Sequence, residues 1–141
     1  MKFTAIRENH LYVKAYHGGK RASSGTCSVY VLRDKQARRF MKARPDKLYI
    51  NRIGISASKK IGGAVQRSRA KRVIREALRL IMKERRLKTG WLIVIAARQA
   101  ATVCKMQDVK RDLQYAMSKL DMYFVPRSDA PNDPAPDQSA L

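Results

Sequence analysis

Apolar and polar positions along the chain repeat with two periods, and the switches between them mark out the elements. Asn9 to His17 reads as a short helix stopped at Gly18-Gly19, where a left-handed residue costs nothing sterically. Thr26 to Arg33 alternates around Val29 and Val31, which predicts a strand. Leu48 to Ser56, rich in β-branched and aromatic residues, predicts a second. Trp91 to Ala97 is a short apolar run after Thr89-Gly90 and suits a strand buried on both faces. Val109, Leu113, Met117 and Leu120 recur at helical spacing, so Met106 to Met122 reads as the last helix. Between the first two strands, Asp34 to Lys47 is a polar, highly basic connection holding Arg38, Arg39, Lys42, Arg44 and Pro45.

The informative element is a helix from about Gly63 to Leu87. At 100° per residue, Ala70, Val73, Ile74, Ala77, Leu78 and Ile81 share one arc of roughly 140°. Lys71, Arg72, Arg75, Arg79, Lys83 and Arg86 fall on the neighbouring arc, with only Glu76 and Glu84 as intrahelical partners. Such a helix is roughly 36 Å long at 1.5 Å per residue, so its cationic ridge can follow several consecutive phosphates. A solvated helix face usually interleaves both signs. The series Lys71–Arg75–Arg79–Lys83 instead repels itself at i,i+4, which a polyanion would relieve. The preceding loop, Ser56-Ala57-Ser58-Lys59-Lys60-Ile61-Gly62-Gly63, leads from a strand end to a helix N-terminus, where free N–H groups favour phosphate. It lacks the Gly-Lys-Ser/Thr order of a P-loop.

Composition sharpens this picture. The chain has 141 residues, the size of one domain, and 45% of them are hydrophobic, which is normal for a globular protein. Its 31 Lys and Arg outweigh 11 Asp and Glu to give a net charge of +20, a self-repulsion that a polyanion would offset. The last sixteen residues, Pro126 to Leu141, hold four of the five prolines, one cation and three carboxylates, and read as a flexible tail. Residues 1–125, read as a single nucleic-acid-binding domain, then carry 30 cations against 8 anions, or +22. No internal repeat or second domain is visible. No apolar run reaches membrane-spanning length, and Met1 to Arg7 lacks the apolar centre of a signal peptide. Cys27 and Cys104 make neither a disulfide framework nor a four-ligand zinc site, so the expected compartment is the reducing cytoplasm.

The usual equipment of a protein nuclease is missing. The eight carboxylates of the body are scattered, with none in an Asp-x-Asp or Glu-x-x-His arrangement that would collect metal ions. His10 and His17 read as surface residues of the first helix, and the two cysteines as small buried packing groups. No catalytic or metal-ligating residue is assigned. If the chain takes part in catalysis, a partner supplies the reactive groups.

The run from Ile53 to Glu76, Ile-Gly-Ile-Ser-Ala-Ser-Lys-Lys-Ile-Gly-Gly-Ala-Val-Gln-Arg-Ser-Arg-Ala-Lys-Arg-Val-Ile-Arg-Glu, resembles the signature of the bacterial ribonuclease P protein component family. That family has a Gly-hydrophobic-Ser-x-Ser-Lys-Lys strand end followed by an Arg-Asn-Arg-x-Lys-Arg-x-x-Arg-Glu helix. Tyr12 to Gly19 resembles its first helix, and the likeness runs from about Arg7 to Phe124. The resemblance implies an α+β fold, a compact sandwich of about four strands and three helices, with a left-handed crossover at the basic helix. It implies a protein subunit, not itself catalytic, of an RNA-catalysed, magnesium-dependent endoribonuclease. The partners would be the catalytic RNA and precursor tRNA, whose 5′ leader is removed. Magnesium would be held mainly by the RNA, and no cofactor by the protein alone.

Carried over position by position, the resemblance puts Lys59, Lys60, Arg67, Arg69, Lys71, Arg72, Arg75 and Arg79 on the RNA-binding surface. It places Tyr12, Tyr16, Tyr30, Arg52 and Ser56 in a cleft for the single-stranded leader. Aromatic faces stack on unpaired bases with little sequence preference while cations hold the backbone, which suits such a cleft. Ser68 stands where the family has Asn, and Gly63 replaces a usual Asn just upstream. The alternative is a structural ribosomal or general RNA-binding protein, which composition alone does not separate. A DNA reader fits less well, since Gln66 is the lone amide on the basic helix for base edges. A membrane-surface role fits least, because the apolar arc carries no aromatic anchors.

Overall fold

The computed structural model describes residues 3–6, 9–34, 51–88 and 90–124. The connection at 35–47, the start of the second predicted strand at 48–50 and the tail at 126–141 lie outside the described residues. The elements are β1 (Phe3–Ala5), α1 (Asn9–Gly18), β2 (Lys20–Ser23), β3 (Cys27–Arg33), β4 (Asn51–Ser56), α2 (Ala64–Glu84), β5 (Trp91–Ala97) and α3 (Met106–Lys119). Short 3-10 turns at Lys59–Ile61 and Gln99–Thr102 precede α2 and α3.

The strands form one mixed sheet in the order β1-β4-β5-β3-β2. β4 runs parallel to both β1 and β5, whereas β3 is antiparallel to β5 and β2. Parallel pairing of β4 with β5 requires a crossover, and α2 makes it, as the resemblance implies. The expected sandwich is present, with five strands in place of about four. The short strands β1 and β2 lie at the two edges.

Strand alternation sorts the core into two layers. Val29, Val31, Ile53, Ile93 and Ile95 face Ala70, Ile74, Ala77, Leu78 and Ile81 of α2 and Val109, Leu113, Ala116 and Met117 of α3. On the opposite face Leu92 and Val94 pack with Ile6 and with Leu11 and Ala15 of α1, flanked by Tyr12, Tyr30 and Leu32. β5 is therefore buried on both sides, which is why its sequence is a continuous apolar run. Burying each such aliphatic side chain contributes about 1.5–3 kcal/mol.

Both long helices stop earlier than their periodicity predicts. α3 ends at Lys119 because Asp121 takes a left-handed φ of 58°. Its N–H bonds Ser118 O at 3.1 Å and that of Met122 bonds Met117 O at 2.9 Å, a Schellman closure made without glycine. α2 ends at Glu84, short of the expected Leu87, which instead pairs across an antiparallel bridge with Tyr123. Ahead of β5, the buried Asn51 amide ties the chain together, donating to Lys88 O (2.7 Å) and accepting from Trp91 N (3.0 Å).

Candidate nucleic-acid interface

The residues expected to line the leader cleft come together on the α1 side of the sheet. Alternation turns Tyr30 of β3 and Arg52, Gly54 and Ser56 of β4 toward this face while their neighbours fill the α2 side. With Leu11 and Ala15 buried against the sheet, the i,i+4 pair Tyr12 and Tyr16 leans toward β4. The Tyr16 hydroxyl is 2.7 Å from Ser56 Oγ, and its ring meets Tyr30 edge-on, with centroids 4.9 Å apart and planes at 81°. Tyr16 remains exposed, so its ring is held by two partners and still open to a ligand. The half-buried Tyr12 hydroxyl titrates above its ordinary value, mainly through burial and then through the nearby Tyr16.

Gly54 forms part of the floor beneath Tyr12. A Cβ at that position would lie 2.6 Å from Tyr12 Cζ and closer still to its hydroxyl oxygen, so no larger residue fits while the ring keeps its place. Arg52 is placed differently from a free backbone clamp. It is buried, with Nε and Nη2 donating to Asp34 at 2.8 and 2.9 Å. Sequence reasoning missed Asp34 as its partner; the signal was a lone carboxylate directly after β3.

The basic surface starts three residues beyond Ser56. Lys59 and Lys60 are exposed on the 3-10 turn, followed by Gly62 at φ 153°, ψ −174°, a conformation in effect reserved for glycine. The backbone then enters α2 at Gly63, an extended N-cap whose helix start receives no side-chain cap. Arg72 and Arg75 are exposed and make no hydrogen bond or ion pair among the described residues. Lys71 and Arg67 are half-buried, Arg67 reaching back toward Gly63 O at 3.4 Å. Arg79 is exposed but forks onto Glu76 at 2.5 and 3.2 Å. That pairing holds the Glu76 carboxyl below its ordinary range. Glu84 looks outward from the helix rather than along it and accepts from Lys110 of α3 at 2.5 Å.

Arg69, expected on the RNA-binding surface, is half-buried and bonded to the protein's own backbone. Its guanidinium donates from Nη1 to Ala101 O (3.1 Å) and from Nη2 to Cys104 O (2.9 Å), pinning the start of α2 to the turn before α3. Ser68, at the family's Asn position, is exposed. Neither histidine of α1 is buried, and Cys27 is buried with its thiol titrating above the ordinary value through desolvation. Among the described residues no group of three or more His, Cys, Asp or Glu could hold a metal ion, and no helix is long and apolar enough to cross a membrane.

An α+β sandwich with a cluster of tyrosines on one face and a strand–turn–helix run of cations beside it defines a narrow structural class. The ribonuclease P family model matches residues 1–121. The ribonuclease P protein component of Clostridium botulinum is 31% identical over 123 residues, 87% of this chain and 99% of that protein. That of Dehalococcoides mccartyi is 44% identical over 79 residues, spanning 56% of this chain and 62% of the relative, which is less than two thirds of its length. The Staphylococcus aureus ribonuclease P protein has the same fold, with a TM-score of 0.66 at 24% identity over 87% of this chain and all of that one. The chain belongs to the ribonuclease P protein component family.

Proposed function

We propose that this chain binds the catalytic RNA of ribonuclease P along the exposed cations of α2 and seats the single-stranded 5′ leader of precursor tRNA in the α1–sheet cleft. The carrying observation is the continuity of the two surfaces: Ser56, bonded to Tyr16 in the cleft, is followed within four residues by Lys59 and Lys60 and then by the basic helix. A leader leaving the cleft at this end would meet cations without a break. Tyr16 and Tyr30 offer ring surface to unpaired bases, and Ser56 and the tyrosine hydroxyls offer polar contacts beside them. In this reading the RNA cuts the phosphodiester and holds the magnesium ions, and the protein, in the cytoplasm, supplies binding. Because the mature product lacks the leader, contacts in the cleft favour substrate over product.

The test compares the affinities of the assembled complex for precursor and mature tRNA, with wild-type protein and with Tyr16→Ala. A base stacked at Tyr16 predicts a loss of about 1–3 kcal/mol for the precursor and none for mature tRNA. Equal loss for both would remove the leader from the cleft.

A further inference from the structure

The two chain segments leaving α2 and α3 meet in a short antiparallel ribbon. Arg85 N bonds Ile81 O to close α2, and Lys88 N then donates to Met122 O (2.7 Å) while Phe124 N donates to Arg86 O (2.8 Å). The ribbon sets two guanidiniums over two successive rings: Arg85 is 3.9 Å from the Tyr123 centroid and Arg86 4.7 Å from that of Phe124. Tyr123 is buried and Phe124 is 39% exposed, so each arginine has its own ring to hold it. Both arginines are exposed.

Stacking occupies the face of a guanidinium and leaves its N–H donors, which lie in the plane, unused. Most other arginines here spend those donors: Arg52 on Asp34, Arg69 on two carbonyls, Arg79 on Glu76, Arg98 on Ser24 O, Arg111 on Asp108. Arg85 and Arg86 spend none among the described residues, and the adjacent Glu84 is taken by Lys110. A planar fork held in one orientation with open donors is the geometry that grips a phosphate through two hydrogen bonds.

We infer that Arg85 and Arg86, positioned by Tyr123 and Phe124, form a second RNA phosphate-binding site at the far end of α2. This rests on the proposal that α2 faces the catalytic RNA. It extends the contact along the full helix, roughly 30 Å at 1.5 Å per residue.

The experiment measures affinity of the full chain for the cognate ribonuclease P RNA across a series of potassium chloride concentrations. Arg85→Ala/Arg86→Ala is expected to weaken binding and flatten the logarithmic salt dependence by about one to two units, up to one for each lost phosphate contact. Arg85→Lys/Arg86→Lys keeps the charge and loses the stacked fork. It should leave the slope unchanged and weaken binding about two- to fivefold. Arg72→Ala serves as the reference. Wild-type affinity and slope in the double alanine variant, with Arg72→Ala affected, would overturn this site and leave the RNA face standing. Wild-type behaviour in both would overturn the RNA face and this site with it. Wild-type affinity in the lysine variant would overturn the part played by the rings.

Discussion

Replacing Arg69 with alanine should damage the protein before it damages RNA binding. The side chain makes two charge-assisted hydrogen bonds, to Ala101 O at 3.1 Å and Cys104 O at 2.9 Å. Each bond of this kind is worth about 1.5–3 kcal/mol when fully enclosed. Arg69 is only half-buried, so water recovers much of that on truncation, and the net cost falls to about 1–2 kcal/mol for the pair. In a domain of this size that lowers Tm by roughly 4–10 °C. The assay is thermal unfolding of the free protein followed by circular dichroism, with Arg72→Ala alongside. Arg72 is exposed and contacts no protein partner among the described residues, so the stability of Arg72→Ala should stay within about 0.5 kcal/mol of the wild type. RNA titrations should invert the order: Arg72→Ala flattens the salt dependence by up to about one unit, and Arg69→Ala leaves it unchanged. A wild-type Tm for Arg69→Ala, joined to a flattened salt slope, would refute the reasoning and return Arg69 to the RNA surface.

Three further outcomes follow from the geometry. Gly54→Ala drives a Cβ into Tyr12; overpacking costs about 1–3 kcal/mol, and the complex should lose preference for precursor over mature tRNA, checked by Tm and by the two affinities. Asp34→Ala removes the carboxylate that two Arg52 N–H groups reach in a buried pair, a loss of about 3–5 kcal/mol visible in urea unfolding. Tyr12 and Tyr123 both titrate above the ordinary tyrosine value, chiefly through burial. The folded state thus holds their protons longer than the unfolded chain, so stability is intact below about pH 10 and falls as pH rises beyond it; Tyr123→Phe should flatten that alkaline decline.

The parts of the fold that were legible in the sequence are those where burial is periodic. Trp91–Ala97 matches its predicted strand residue for residue, because a strand covered on both faces can be apolar throughout. The polar strand Lys20–Ser23 has one buried residue, Ala22, and gives no such signal. The helix ends differ from the expected ones where a long-range bridge takes the residue, as at Leu87, or where an aspartate takes a left-handed turn usually marked by glycine. At the site, the motif positions bring Tyr12, Tyr16, Tyr30 and Ser56 together on one face and lie on the basic helix. What it could not give was which cations are committed to the protein. Arg52 meets Asp34 across 18 positions and Arg69 meets its carbonyls across 32 and 35, pairings made by the fold and absent from local spacing. The Tyr12 seat at Gly54 was hidden for the same reason, since a glycine's missing side chain acquires meaning only from what approaches it.

The central claim is a division of labour in which this protein binds and an RNA cuts. Its most direct test adds the purified protein to its cognate RNA at low magnesium and follows cleavage of a 5′-extended precursor tRNA, with each component alone as control. Cleavage at the mature 5′ end is expected when both are present, and none from the protein alone. Cleavage by the protein without RNA, or tight salt-sensitive RNA binding with no stimulation of cleavage, would contradict it.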